Sequence, residues 1–209
     1  MYFAAPKKAG KYATVIVVPE VFGMHEHIKD MARRVAKAGY YAITLDPFFR
    51  IGDLSKIPDP KEVVGKANTL ADTQMLADMD ALVAFLDNQP KANTKKLGIT
   101  GFCRGGRTVW MYTAHSKRIK AGVSWYGGLN ANPPAQPLTP IDVADQLNAP
   151  VLGLYGGADA GIPLDAVERL RAALVAFGKD QQSIDPRVRR HAARVQRRLP
   201  AELPQGSRR

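Results

Sequence analysis

The sequence predicts an α/β fold, a mostly parallel β-sheet flanked by helices, on three observations. Residues 13–19 and 149–155 are continuous apolar runs, as expected of strands buried on both faces of a sheet. Stretches with helical spacing alternate along the chain with such short apolar runs, which is the pattern of parallel strands joined by helical crossovers. A Gly-x-Cys-x-Gly sequence at 101–105 joins a predicted strand to a predicted helix.

The predicted elements follow in order along the chain. The strand at 13–19 is followed by a helix at 27–38, which ends at Gly39, and by a strand at 40–45. The segment 46–66 contains Pro and Gly and is predicted to be a loop. The remaining predictions are a helix at 70–86, a strand at 96–100, a helix at 104–114, a strand at 120–125, a Pro-rich loop at 130–145, a strand at 149–155 and a helix at 164–177.

Composition limits the classes of protein. With 209 residues and 45% hydrophobic content, the chain is long enough for one domain with a sizeable core. A single cysteine excludes an internal disulfide framework and a Cys-based zinc site, so we expect a reducing, cytoplasmic location and neither metal nor cofactor. No leader and no apolar run of about 18 residues is present, so the sequence indicates neither export nor a membrane, unless a wrongly assigned start removed a leader.

The net charge of +11 is concentrated at one end of the chain. Residues 185–209 contain eight arginines against Asp185 and Glu202, and therefore carry more than half of the net charge. We expect a folded domain at 1–184 and an Arg-rich tail at 185–209 without regular structure. No aromatic residues are interleaved with the arginines, which argues against nucleic acid as a partner.

The sequence Gly-Phe-Cys-Arg-Gly-Gly at 101–106 fits a nucleophile elbow with Cys103 as the nucleophile. Such a turn is so tight that its nucleophile takes a strained conformation, and glycines flank it because a β-carbon would collide. The following helix directs free N–H groups and its positive dipole end at the sulfur, which favours the thiolate. The alternative is that Cys103 is a small buried apolar side chain, the usual role of a cysteine. Its place between glycines at a strand-to-helix junction favours the nucleophile.

Three further short sequences accompany the elbow. They are Glu20-Val21-Phe22-Gly23 with the following Glu26-His27-Ile28, then Trp125-Tyr126-Gly127-Gly128, and Tyr155-Gly156-Gly157-Ala158-Asp159 with Ile162-Pro163. With these sequences the chain resembles the dienelactone hydrolases (carboxymethylenebutenolidases) from about residue 2 to about residue 184. The resemblance implies an α/β-hydrolase fold and a hydrolase that opens a small lactone or ester through a Cys acyl-enzyme. It also implies a monomer or a weak dimer.

The resemblance also implies the roles of individual residues. Cys103 would be the nucleophile, Asp159 would orient the catalytic histidine, and Glu20 would hold the resting thiol. The backbone N–H groups of Val21 and Arg104 would form the oxyanion hole. Trp125 and Tyr126 would line the substrate pocket.

For three of these residues the sequence leaves a second interpretation open. Asp159 lies in Gly-Ala-Asp-Ala-Gly, which also suits a turn or helix cap. Glu20 could be a solvent-facing loop carboxylate. The Arg104 side chain could pair with an anionic substrate or cover the helix surface, and we favour the surface.

The resemblance implies a catalytic histidine in the sequence Pro-His-Ala-Phe after the last strand. This chain does not contain that sequence. His25, His27 and His115 lie at predicted helix ends, where surface or capping roles are favoured. His191 alone has the right position along the chain. Arginines surround it, however, and they disfavour a protonated imidazole.

The composition change near Asp185 suggests a frameshift. Permitted codons from Ile184 onward, read from the second base of each, can encode a strand, a Pro-His-Ala-Phe loop and the start of a helix. We therefore hypothesise that the tail is frameshifted, that the final strand and helix are lacking, and that the histidine codon straddles Ala193 and Arg194. The enzyme would then be inactive for want of its histidine. The alternative is a non-catalytic protein that binds a small ligand on the same fold.

Overall fold

The computed structural model describes residues 1–130 and 133–179, and within them the chain forms six strands and five helices. The strands are β1 Tyr2–Ala4, β2 Tyr12–Val18, β3 Tyr41–Thr44, β4 Ala92–Phe102, β5 Ile119–Trp125 and β6 Val151–Leu154. The helices are α1 Glu26–Lys37, α2 Pro60–Ala67, α3 Asp72–Asp87, α4 Arg104–His115 and α5 Leu164–Ala176.

The strands form one sheet in the order β1-β3-β2-β4-β5-β6. All pairs are parallel except β1 with β3, which is antiparallel. Ile16 of β2 lies between Ile43 of β3 and Ile99 of β4, and all three side chains are buried. The mostly parallel sheet flanked by helices that the sequence predicts is therefore confirmed.

The helices divide between the two faces of the sheet. The main core contains buried side chains of α2, α3, α4 and α5 together with strand residues such as Leu97 and Ile99. A separate small cluster, formed by Val17, Ile28 and Phe102, joins α1 to β2 and to the end of β4. Helix α1 contacts β1, β2 and β3.

The α1 face remains open over β4 and β5 in the part of the chain that the structure describes. A depression of about 450 Å³ lies there, and Val15, Thr100 and Val123, all half-buried, and exposed Ala121 contribute to its lining. At the adjacent edge β6 is the last strand within the described residues. An apolar depression of this kind on the face of a sheet is normally covered in a folded domain.

Helix α1 ends as predicted, with Gly39 at a φ of 96° just beyond its last turn. The prediction of a loop at 46–66 is wrong, because this segment contains the 3₁₀ turn Leu54–Lys56 and helix α2. Asp59 caps α2 by accepting from the Lys61 amide at 2.9 Å, and Pro60 occupies the first helical position, where it costs no hydrogen bond.

Two further elements are absent from the sequence predictions. Strand β1 was not predicted, and the segment 130–145, predicted as a loop, runs into the 3₁₀ turn Ala144–Gln146. The predicted tail at 185–209, His191, and the place of a final strand and helix all lie outside the described residues. None of the described helices is long and apolar enough to cross a membrane.

Candidate active site

Cys103 lies between the last residue of β4 and the first residue of α4, at the carboxyl end of the sheet. Its φ of 52° and ψ of −115° are strained for a residue with a β-carbon. The Cys103 amide donates to the Trp125 carbonyl at 3.0 Å, and its carbonyl accepts from the Arg107 amide at 3.1 Å. The hydrogen bonds on both sides hold the turn in this conformation, which is the elbow conformation that the sequence predicts.

Three glycines allow the chain to turn this tightly. A β-carbon on Gly101 would overlap the Gly105 carbonyl one turn ahead. One on Gly105 would overlap the carbonyls of Val18 and Pro19 at the end of β2. One on Gly106 would lie 2.6 Å from the Trp125 carbonyl at the end of β5. The start of α4 therefore packs directly on the ends of β2 and β5, which brings the loops after those strands to the nucleophile.

The loop after β2 supplies Glu20. The chain turns back at once, with the Gly23 amide donating to the Glu20 carbonyl at 3.2 Å. The Glu20 side chain is only 13% exposed, and its Oε2 lies 3.1 Å from Nε2 of His25. Glu20 is therefore not the solvent-facing carboxylate of the second interpretation.

The surroundings of Cys103 disfavour its thiolate form. Burial is the main cause that raises its pKa, and the carboxylates of Glu20 and Asp159 add to the increase. The Arg104 amide, hydrogen-bonded to the sulfur, and the Arg104 guanidinium act in the opposite direction. The structure thus brings Cys103 within electrostatic reach of the two predicted carboxylates.

Tyr126 follows β5 and takes a φ of 39°, which is unusual for a tyrosine. Burial, followed by the charges of Glu20 and Cys103, raises its pKa to about 12, so its hydroxyl stays a donor at neutral pH. The Trp125 side chain, in contrast, lies against β4. Its ring stacks on Phe102 with 5.8 Å between centroids, and its Nε1 donates to Thr100 Oγ1 at 3.1 Å.

Asp159 forms a turn in the loop after β6. Its Oδ1 accepts from the Gly161 amide at 2.9 Å, and its own amide donates to the Gly156 carbonyl at 3.2 Å. This is the local turn chemistry of the second interpretation. One carboxylate oxygen is engaged in the turn, and the place along the chain where the sequence predicts a histidine partner for Asp159 lies outside the described residues.

The Arg104 side chain is buried, with 7% of the residue exposed, so the interpretation that it covers the helix surface is wrong. Its Nη2 donates to the Leu70 carbonyl at 3.3 Å, and its Nε has no partner among the described residues. Burial, with a contribution from Arg107, lowers its pKa to about 10. The side chain points into the segment before α3 because the close packing of α4 leaves it no route to solvent.

The sequence prediction missed the role of His25. His25 occupies the N-cap position of α1, but its side chain makes no capping hydrogen bond and binds Glu20 instead. The signal available in the sequence was the spacing of five residues between Glu20 and His25 across a Gly-containing turn. His27 stacks edge-on against Phe102, and His115 at the far end of α4 binds Asp80.

No hydrogen bond joins a histidine to the Cys103 sulfur within residues 1–130 and 133–179. In the same residues, no group of three or more His, Cys, Asp or Glu side chains is placed to hold a metal ion. This site therefore contains a buried thiol, a carboxylate bonded to an imidazole, and a helix-start amide directed at the sulfur.

Comparison with known proteins agrees with this architecture. The sequence profile of the dienelactone hydrolase family matches residues 1–184. A candidate carboxymethylenebutenolidase of Methylorubrum extorquens is 48% identical over 180 residues, which are 85% of this chain and 62% of that protein. One of Yersinia pestis is 46% identical over 186 residues, which are 88% of this chain and 69% of that protein.

The crystal structure of a candidate dienelactone hydrolase from Klebsiella pneumoniae is similar to this fold. It has a TM-score of 0.82 and 45% sequence identity, and the match covers 85% of this chain and 75% of the other. The chain spans 62% to 69% of the length of the two curated relatives above. With its elbow, its sheet and these similarities, the chain belongs to the dienelactone hydrolase family.

Proposed function

We propose that this protein acts on a small lactone or ester and that Cys103 forms an acyl-enzyme with it. The observation that carries the proposal is the strained backbone of Cys103 at the start of α4, with Glu20 brought to it by the close packing of Gly105. A strained, glycine-flanked residue is retained where the chemistry requires it. A merely structural cysteine would not need a φ of 52°.

The reaction follows from this arrangement. The Cys103 thiol loses its proton as its sulfur attacks the carbonyl carbon, and the oxyanion accepts hydrogen bonds from the amides of Val21 and Arg104. The carbon–oxygen bond to the alcohol then breaks, the alkoxide takes up the proton that the thiol released, and a thioester on Cys103 remains. Water must hydrolyse this thioester, and a base has to take the proton of that water. Tyr126 and Trp125 are proposed to line the pocket for the small-molecule substrate.

We propose that the second step is defective in this chain. The family match ends at residue 184, which supports a hydrolase domain at 1–184 and a frameshifted tail at 185–209. Asp159 would then have no imidazole to orient, since His191 does not stand in a sequence of the expected kind. By analogy with the subtilisin triad, loss of the base lowers turnover on the order of 10⁴- to 10⁶-fold.

Other properties remain proposals of the same kind. We expect a monomer or a weak dimer in the cytoplasm that uses no cofactor and has no nucleic acid or membrane partner. The net charge does not oppose this expectation, because it is concentrated in the tail.

The second candidate function is a non-catalytic protein that holds a small ligand on the same fold. The raised pKa of the Cys103 thiol favours it, because a neutral thiol is a poor nucleophile. Saturable binding of a lactone that persists in Cys103→Ala, together with no acylation of the natural chain, would support this function.

Hydrolysis of p-nitrophenyl acetate tests the proposal. The natural chain is compared with a chain whose residues from 185 onward are those of the alternative reading frame. We expect the natural chain to release about one p-nitrophenolate per protein and then nearly stop, and the restored chain to turn over at least about 10³-fold faster. Equal turnover by the two chains would contradict the missing base, and no release by either would contradict the nucleophile.

A further inference from the structure

An imidazole, a carboxylate and a thiol adjoin one another at the carboxyl end of the sheet. His25 Nε2 lies 3.1 Å from Glu20 Oε2, and the charge of Glu20 acts on Cys103. Glu20 is thus the group that links the other two, by a hydrogen bond to His25 and by its charge to Cys103. This order differs from a hydrolase triad, in which the imidazole stands between the nucleophile and the acid.

The His25 ring is fixed from two sides. The Phe22 ring meets it edge-on with 6.3 Å between centroids, and the His27 ring stacks on it at 6.0 Å. The His25 side chain is 28% exposed and that of Glu20 is 13% exposed. A partly buried pair is screened by water and salt much less than a pair on the surface. A positive charge on His25 would therefore act directly on Glu20.

The charge on Glu20 matters for the nucleophile because a carboxylate opposes formation of the thiolate. Histidine is the side chain that ordinarily changes charge between pH 5 and 8. An imidazolium beside Glu20 offsets the negative charge and makes the thiolate easier to form, whereas a neutral imidazole does not.

Other titratable or charged groups surround this trio. Arg104 and Tyr126 adjoin Cys103 from α4 and from the end of β5, and Asp159 acts from the loop after β6. On α1, His27 stacks on His25, while Glu26 is bound to Arg33 at 2.6 Å. Of these groups, His27 is the second imidazole, so it is the group that a test must control.

We propose that His25 is a positioning residue for the nucleophile, which holds the Glu20 carboxylate beside Cys103 and, through its own charge, extends the reactivity of the thiol to lower pH. The inference rests on the proposed role of Cys103. His25 acts on the first step alone, because its ring is bonded to Glu20 and, within residues 1–130 and 133–179, not to the sulfur. It therefore does not replace the missing base.

Alkylation of the native protein by iodoacetamide tests the inference. The chain has one cysteine, so the adduct that Cys103→Ala does not form reports on Cys103. The rate is measured by intact-protein mass spectrometry from pH 5.5 to pH 9 for the natural chain, His25→Gln, Glu20→Gln and the double variant. His27→Gln is the matched control, because His27 adjoins the same ring without a bond to Glu20. Equal final labelling at pH 9 and an unchanged circular dichroism spectrum show that each variant is folded.

We expect His25→Gln to alkylate about threefold to tenfold more slowly than the natural chain at pH 6, and within about twofold of it at pH 9. Glu20→Gln should alkylate faster at pH 7.5, because it lacks the charge that opposes the thiolate. In the Glu20→Gln background, His25→Gln should change the rate at pH 6 by less than about twofold, since the coupling is lost. His27→Gln should follow the profile of the natural chain.

A His25→Gln profile parallel to that of the natural chain would overturn the inference, and so would an undiminished effect of His25→Gln in the Glu20→Gln background. The proposed function fails separately, because alkylation needs only the thiol. A chain that shows the expected profiles but forms no acyl-enzyme retains the positioning role and loses the hydrolase. A chain that forms the acyl-enzyme, but whose alkylation profile His25→Gln does not change, retains the hydrolase function and loses the positioning role.

Discussion

The two ends of helix α4 differ in how their backbone groups are satisfied. At the carboxyl end the Asn148 side chain donates to the carbonyls of Thr113 at 3.3 Å and Ala114 at 2.8 Å, and the Ser116 amide closes the last turn on the Tyr112 carbonyl at 2.8 Å. At the amino end Cys103 gives no side-chain cap, and the Arg104 amide faces the sulfur. The last carbonyls of α4 are thus bonded by other protein groups, whereas at the amino end the Arg104 amide is directed at the thiol where a ligand would react.

Each end also has a histidine bound to a carboxylate. The distance is 3.1 Å for His25 and Glu20 and 2.8 Å for His115 and Asp80, so geometry alone does not distinguish the pairs. Burial does, because the Asp80 side chain is 51% exposed and that of Glu20 is 13% exposed. The same pair of side chains can therefore influence chemistry only where it is shielded from water and close to the nucleophile.

The largest expected effect comes from Gly105→Ala at the amino end. The new β-carbon would overlap the carbonyls of Val18 and Pro19, so α4 would have to move away from β2. We expect the free energy of unfolding to fall by about 3 kcal/mol or more, measured by urea denaturation. Cys103 should also lose its separation from solvent, so that its alkylation at pH 7.5 becomes faster.

Gly65→Ala is the matched control for this change. Gly65 lies within α2, and a β-carbon there would meet nothing within 4 Å. Alanine is favoured over glycine within a helix, so stability should rise by about 0.5 to 1 kcal/mol. A Gly105→Ala protein as stable as the natural chain would show that the close packing of the elbow is not required.

A smaller effect is expected from Asn148→Ala at the carboxyl end. The change removes two hydrogen bonds to the last turn of α4, so unfolding should become easier by about 1 to 2 kcal/mol in the same titration. The alkylation profile of Cys103 should not change. A shifted profile would mean that the two ends are not independent.

Asn88→Ala provides the control for that variant. The Asn88 side chain makes one long hydrogen bond of 3.5 Å to the Ala84 carbonyl near the end of α3, in an exposed position. Its removal should cost less than about 0.5 kcal/mol. Equal losses in the two variants would show that capping of α4 by Asn148 contributes nothing specific.

The sequence predicts the parts of this fold that depend on local pattern. The apolar run at 13–19 and the glycines of the elbow predict a buried strand and a tight turn, because hydrophobic periodicity and glycine requirements are local properties. Helix α2 escapes this pattern because the Pro and Gly content of 46–66 favours a loop, whereas the proline that follows Asp59 begins a helix.

Contacts between side chains from different segments could not be predicted in this way. The bond from His25 to Glu20 depends on the turn that folds the loop back after β2. The burial of Arg104 depends on how closely α4 packs against the segment before α3, which places the guanidinium beside the Leu70 carbonyl. The spacing of five residues from Glu20 to His25 is compatible with their contact, but neither this spacing nor the position of Arg104 distinguishes these roles from a surface position.

Mass spectrometry of the protein after a short incubation with p-nitrophenyl acetate tests the role of Cys103 most directly. We predict one acetyl group per chain, located on the peptide that contains Cys103, and no acetyl group at that peptide in Cys103→Ala. The adduct should persist for as long as the second step is slow. A natural chain without an acetyl group on Cys103, or with the acetyl group on another residue, would contradict the nucleophile elbow as the reacting centre.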